Sequence, residues 1–148
     1  MLRRTFLTVL AATVALPVFA DEVKTLDYTP GLIKERLAAG ETLLVDYTTD
    51  WCTTCAAQKR QIGALIGENP AYGENITFIR VDFDEYRRHA VSTDRKIPRR
   101  STLIVLKGED ELGRIVANPS KTAIQELMDT ALAAATPKEP TTPTASDT

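Results

Sequence analysis

Apolar positions along this chain fall into blocks with two distinct periods. Leu43-Leu44-Val45 and Leu103-Ile104-Val105-Leu106 are continuous apolar runs. They predict strands from Thr42 to Thr48 and from Thr102 to Leu106, each covered on both faces. From Asn75 to Phe83 the apolar residues are Ile76, Phe78, Ile79 and Val81, which read as a third strand. Val23 to Tyr28 reads as a shorter one. Gly108-Glu109-Asp110-Glu111 turns the chain into Leu112 to Ala117, a hairpin signal. Elsewhere the period lengthens to that of a helix. One helix opens near Pro30 and runs to about Ala39, with Ile33 and Leu37 on one face and Gly40 as its stop. A long helix spans Thr53 to about Glu68, closed by Gly67 and Asn69-Pro70. Tyr86 to Lys96 reads as a charge-rich helix. Ser120 caps a last helix that buries Ile124, Leu127, Met128 and Leu132. The order β-α-β-α-β-α-β-β-α predicts an α/β layered domain whose sheet ends in an antiparallel hairpin.

The two ends stand apart from this pattern. Arg3 and Arg4 precede a mostly apolar stretch from Phe6 to Phe19, and Val18-Phe19-Ala20 supplies small residues where a signal peptidase reads. Residues 1–20 are therefore expected to be an export signal cleaved after Ala20, with the protein acting in the periplasm. The apolar stretch is shorter than the roughly 20 residues a membrane span needs. Arg3-Arg4-Thr5-Phe6-Leu7 also resembles a twin-arginine signal, although Leu2 stands where that signal favours Ser or Thr. The export route, general secretory or twin-arginine, stays open. From Thr136 the chain holds Pro137, Pro140 and Pro143 and nothing apolar to bury, so residues 136–148 are expected to be a disordered tail. Residues 21–135 remain for one folded domain.

Charge narrows the functions available. A formal net charge of −2 over 148 residues, with Arg87-Arg88 and Arg99-Arg100 as isolated pairs, offers no basic face for nucleic acid. The chemistry concentrates in Trp51-Cys52-Thr53-Thr54-Cys55, which holds both cysteines of the chain. A strand, a short turn and then a helix place Cys52 where unpaired amide groups point. A thiolate there is stabilised by those donors and by the positive end of the macrodipole, so Cys52 becomes a nucleophile near neutral pH. Cys55 sits one turn on, close enough to close a disulfide. As a staple, a bond over two intervening residues would constrain little of the unfolded chain. The spacing therefore reads as catalytic.

Val45-Asp46-Tyr47, Trp51 through Cys55, the strand after the second helix and Thr102 to Gly108 together resemble the thioredoxin superfamily. The resemblance spans roughly Glu22 to Ala134. It implies a three-layer sandwich, a mixed central sheet with helices on both faces. It also implies an exported thiol–disulfide oxidoreductase that reduces protein disulfides, as in cytochrome c maturation and related pathways. By the same resemblance Cys52 attacks, Cys55 resolves the mixed disulfide, and Asp46 is the buried acid that takes the Cys55 proton. Arg80 matches a basic position near that acid, and Trp51 offers substrate a flat surface beside the sulfurs. No cofactor and no metal are implied. The partners implied are protein disulfides and a membrane-embedded electron donor, and the protein is expected to be a monomer.

Two departures from the family pattern matter. Thr53-Thr54 separates the cysteines, and their hydroxyls are expected to donate to the Cys52 thiolate. Second, the family's cis-proline before the fourth strand is replaced, in the ungapped register, by Ser101 after Arg100. A cis bond there would cost about 2.5–4 kcal/mol, so a trans bond is expected. Ile97-Pro98 is the competing register. Ser101 facing the sulfurs would leave a more open, more polar substrate site, with Arg99 or Arg100 adding positive charge. The alternative function is a thiolate-based copper carrier on the same fold. His89, the one histidine, sits among charged residues and is expected to face solvent.

Overall fold

In the computed structural model the described residues are 25–135. The expected export signal and the expected tail lie outside them. The described chain builds β1 (Leu26–Asp27), α1 (Leu32–Ala38), β2 (Thr42–Thr48), α2 (Thr53–Glu68), α3 (Ala71–Asn75) and β3 (Thr77–Asp82). It continues through α4 (Phe83–Tyr86), α5 (Ala90–Thr93), β4 (Thr102–Lys107), β5 (Asp110–Val116) and α6 (Lys121–Ala135). The strands form one mixed sheet in the order β1-β3-β2-β4-β5. β2 runs parallel to β3 and antiparallel to β4, and β4 to β5 is the expected hairpin.

Alternation along β2 sorts the core into two layers. Leu44 faces one side with Phe78, Leu103 and Val105, where Ile62 and Leu65 of α2, Tyr72 of α3 and Ile124, Leu127 and Met128 of α6 pack. Leu43, Val45 and Tyr47 face the other side with Ile79, Val81, Ile104 and Leu106, covered by Ile33 of α1, Ile97 and the short turns around Phe83 and Val91. Because both faces are covered, the middles of β2 and β4 are continuous apolar runs, Leu43 to Val45 and Leu103 to Leu106. Asp46 is the one charged residue of β2, and it shares the α2 face with Leu44.

Three expectations change. The helix expected over Tyr86 to Lys96 is absent; the segment forms the two short turns α4 and α5 with Arg87–His89 between them. Its charged residues make no continuous apolar stripe, and Asp82 starts α4 early by accepting from the N–H groups of Asp84 and Glu85. The expected strand from Asn75 starts at Thr77, because Pro70 opens α3, a turn of helix that seats Tyr72 in the core. In α6 the buried stripe is Ile124, Leu127, Met128 and Ala131, with Leu132 packed half-buried against its edge.

Candidate redox site

α2 starts at the C-terminal end of β2, at the centre of the sheet. Cys52 is its N-cap, with extended backbone (φ −86°, ψ 111°), and the Cys55 N–H donates to Cys52 Sγ at 3.1 Å. The sulfur thereby takes the place of a capping oxygen and sits at the positive end of a 16-residue helix. Cys52 and Cys55 are joined in a disulfide with Cα atoms 5.2 Å apart, so this is the oxidised protein. Both cysteines are buried.

Ser101 lies against the disulfide. Its Oγ is 3.1 Å from Cys52 Sγ and 3.1 Å from Cys55 Sγ. The described residues contain no cis peptide, and Ser101 reaches this position with a left-handed φ of 61°. Pro98 is exposed; it is Ser101 that meets the sulfurs. The expectation of an open site is corrected here. Ser101 is 0% exposed, its N–H donates to the Tyr47 carbonyl at 2.8 Å, and its carbonyl accepts from Ala117 N–H at 2.8 Å. The expected role of the intervening threonines is corrected too. Cys52 Sγ is met by the Cys55 N–H and the Ser101 hydroxyl, whereas Thr53 and Thr54 sit in the first turn of α2 with their hydroxyls bonded to neither sulfur.

On the other flank, Asp46, Cys52, Cys55, Lys59 and Arg80 line one cleft of about 440 Å³. Asp46 keeps some surface in this cleft, but its Oδ1 is buried and without a hydrogen-bond partner. Burial pushes its carboxyl up to about 7, against the opposing pull of the Arg80 and Lys59 charges. A carboxyl poised there exchanges a proton readily at neutral pH. Arg80 stands opposite Asp46 in the sheet register, yet its guanidinium is tied to Asp50 at 2.6 Å and Asp27 at 3.4 Å. It acts on Asp46 through its field rather than by contact.

Trp51 is 61% exposed, the most exposed large apolar side chain described. Its Nε1–H donates to Asp84 Oδ2 at 2.7 Å, and the Arg100 guanidinium lies over its ring at 4.0 Å. Arg100 therefore stacks on the indole, a cation–π contact, rather than pairing with a sulfur. His89 caps α5 and packs edge-on against Tyr86, remote from this constellation.

Sequence reasoning missed Gln58, Lys59 and Asp84. Gln58 was legible: Cys55, Gln58, Ile62 and Leu65 follow helical spacing and are the buried stripe of α2. Its Nε2 donates to the carbonyls of Ser101 and Asn118, each at 3.2 Å. Asp84 carried no such signal, since α4 only meets Trp51 once the sheet has formed.

A disulfide over two residues, capped onto a helix at the end of a central strand, with a proton-poised carboxyl in the adjoining cleft, defines a thiol–disulfide oxidoreductase. The thioredoxin family model matches residues 25–130, and the chain belongs to that family. No curated protein sequence matches the chain. Among solved structures it is similar to Trxlp from Edwardsiella tarda, 27% identical with a TM-score of 0.60, covering 70% of this chain and 98% of that one. A thioredoxin mutant of Entamoeba histolytica shares 18% identity and a TM-score of 0.59, over 72% of this chain and 99% of its own. The oxidised thioredoxin of Plasmodium falciparum shares 19% and 0.58, over 72% and 96%. These last two share the fold.

Proposed function

We propose that this protein is an exported, periplasmic reductant of protein disulfides, recharged by a membrane-embedded electron donor. Cys52 is the attacking thiolate, and Cys55 closes on it to release the reduced substrate. The observation that carries this reading is the pairing of a helix-capping sulfur with Asp46, a carboxyl held near neutrality in the same cleft as Cys55. In the forward direction the Cys52 thiolate opens the substrate disulfide and forms a mixed disulfide, while one substrate sulfur leaves as thiolate. Cys55 then gives its proton to Asp46 and attacks Cys52 Sγ, and the second substrate sulfur leaves. Two electrons pass to the substrate, and the protein is left with the disulfide seen here.

Export is supported by the pattern of residues 1–20, and the reducing direction by the resemblance to exported reductases, including those that serve cytochrome c maturation. Trp51, with Arg100 stacked on it, is the surface that substrate and electron donor would meet. The protein works as a monomer in this reading. Equilibration with glutathione tests the direction: a potential well below that of strong periplasmic oxidants is expected, and one near about −120 mV would reverse it. A Cys55→Ser variant should retain substrates as mixed disulfides through Cys52; recovery of none, with wild-type exchange intact, would remove Cys52 as the attacking sulfur. The copper-carrier reading has Cys52, Cys55 and the Ser101 hydroxyl as its donors, and among the described residues no three Cys, His, Asp or Glu side chains are arranged so as to hold a metal ion. Titration of the reduced protein with Cu(I) separates the two readings, since tight binding is expected only of the carrier.

A further inference from the structure

We propose that the Ser101 hydroxyl is a catalytic hydrogen-bond donor that follows the negative charge between Cys52 and Cys55, and that Gln58 is the residue that positions it. The hydroxyl stands at equal distance, 3.1 Å, from both sulfurs. In the oxidised protein these sulfurs are weak acceptors. Once one becomes a thiolate, the same fully buried hydroxyl meets a full charge, and a bond to a charged acceptor from a buried donor is the stronger kind. Rotation of the hydroxyl about the Cβ–Oγ bond redirects its proton from one sulfur to the other with Oγ and the backbone in place.

The backbone explains why the hydroxyl stays in place. A left-handed serine at φ 61° is disfavoured by its own Cβ and must be held by its surroundings. Ser101 N–H is held by Tyr47, and its carbonyl by Ala117 N–H and Gln58 Nε2. Gln58 also grips the Asn118 carbonyl, so one amide ties α2 to the segments that enter β4 and leave β5. That amide is fully buried and leaves its Oε1 without a partner. An apolar residue would avoid this cost. What the glutamine gains is the clamp on Ser101.

Electron bookkeeping is the same in both directions. When Cys52–S⁻ attacks a substrate disulfide, the new Cys52–S bond forms as the substrate S–S bond breaks, and a substrate sulfur carries the charge away. Ser101 then turns to Cys55 as its S–H loses the proton to Asp46. When an electron-donor thiolate attacks Cys52 Sγ of the disulfide, Cys55 is the leaving thiolate and Ser101 donates to it. The inference rests on Cys52 being the exchanging sulfur and is independent of the direction of net flow. The charged groups that also face the cysteines are Asp46 from β2, Lys59 from α2, Arg80 from β3 and Asp27 from β1 in the cleft, with Asp50 at its rim and Arg100 over Trp51.

The test measures thiolate formation at Cys52 by ultraviolet absorbance and by alkylation rate across pH, in reduced wild type, Ser101→Ala and Gln58→Met. Ser101→Ala should lower the alkylation rate below pH 7 about tenfold and move the absorbance titration upward by a comparable factor. A tenfold loss corresponds to a potential lower by about 30 mV, because the reduced form is the one destabilised. Gln58→Met should shift both readouts in the same direction by about threefold. In the double variant, Gln58→Met should add nothing to Ser101→Ala, which a merely structural glutamine would not predict. A Ser101→Ala titration matching a reactive wild type would overturn the proposal and leave the exchange chemistry standing. A wild-type Cys52 no faster than a free thiol would overturn both.

Discussion

The two flanks of the disulfide are built from different materials. Toward β3 and β1 lies an open cleft of ionisable side chains, Asp27, Asp46, Asp50, Lys59 and Arg80. Toward β4 and β5 lies a sealed network of Ser101, Gln58 and the carbonyl of Asn118, with no titratable group in it. The difference follows from what each flank has to move. In the mechanism proposed, a proton enters and leaves beside Cys55, and that flank supplies a titratable acid and an open cleft. In the same proposal, negative charge is held on one sulfur or the other, and a buried fixed dipole does that without changing its own state.

This division can be broken in order of effect. Cys52→Ser removes the atom both flanks serve, so exchange with a disulfide substrate should fall by roughly a thousandfold or more, while circular dichroism keeps its native form. Survival of exchange would leave neither flank with a role. Asp46→Asn should act next, on stability and on pH together. Asp46 titrates at about 7 in the fold and at its ordinary 3.8 when unfolded, so between those values the native state holds a proton that the unfolded chain has lost. Wild-type stability should therefore be fully present below pH 4, fall as pH rises toward 7, and level above it. Asn removes that slope. Urea unfolding at pH 8 should show the variant more stable by roughly 2–4 kcal/mol, and at pH 4 little different.

Kinetics sharpen the contrast. In single turnovers, Asp46→Asn should slow resolution of the mixed disulfide and flatten its pH dependence near 7, whereas Ser101→Ala should slow its formation. If both variants slow the same step, the flanks share one task and the division fails. The smallest effect belongs to the rim. Asp84→Asn weakens the hydrogen bond that holds Trp51, and a KM for a protein disulfide raised about threefold, with an unchanged potential, is the expected result. A shifted potential would mean that the indole acts on the sulfurs and not only on the substrate.

Much of this architecture was legible before folding. The continuous apolar runs of β2 and β4 announce central strands, and the capping position of Cys52 follows from a strand, a turn and a helix in sequence. Tyr86 to Lys96 was misread because helix-forming residues there lack an apolar face, and Asp82 and His89 each start a separate turn instead. α3 was missed because one turn of helix is too short to show a period. Gln58 shows a third kind of gap: its place on the α2 stripe was readable, but its partners were not.

From its order of residues alone, this chain determined where its strands and main helices form, that one carboxyl lies in a buried strand, and that both sulfurs sit at the start of a helix. Those outcomes depend on neighbours within a few positions, through periodicity, capping and the field of one helix. Only the tertiary structure decided that Ser101 touches both sulfurs, that Gln58 holds it there, and that Arg100 rests on Trp51. Each of those contacts joins segments more than 40 positions apart. Which of them meet is set by strand order and register, and no local pattern encodes that.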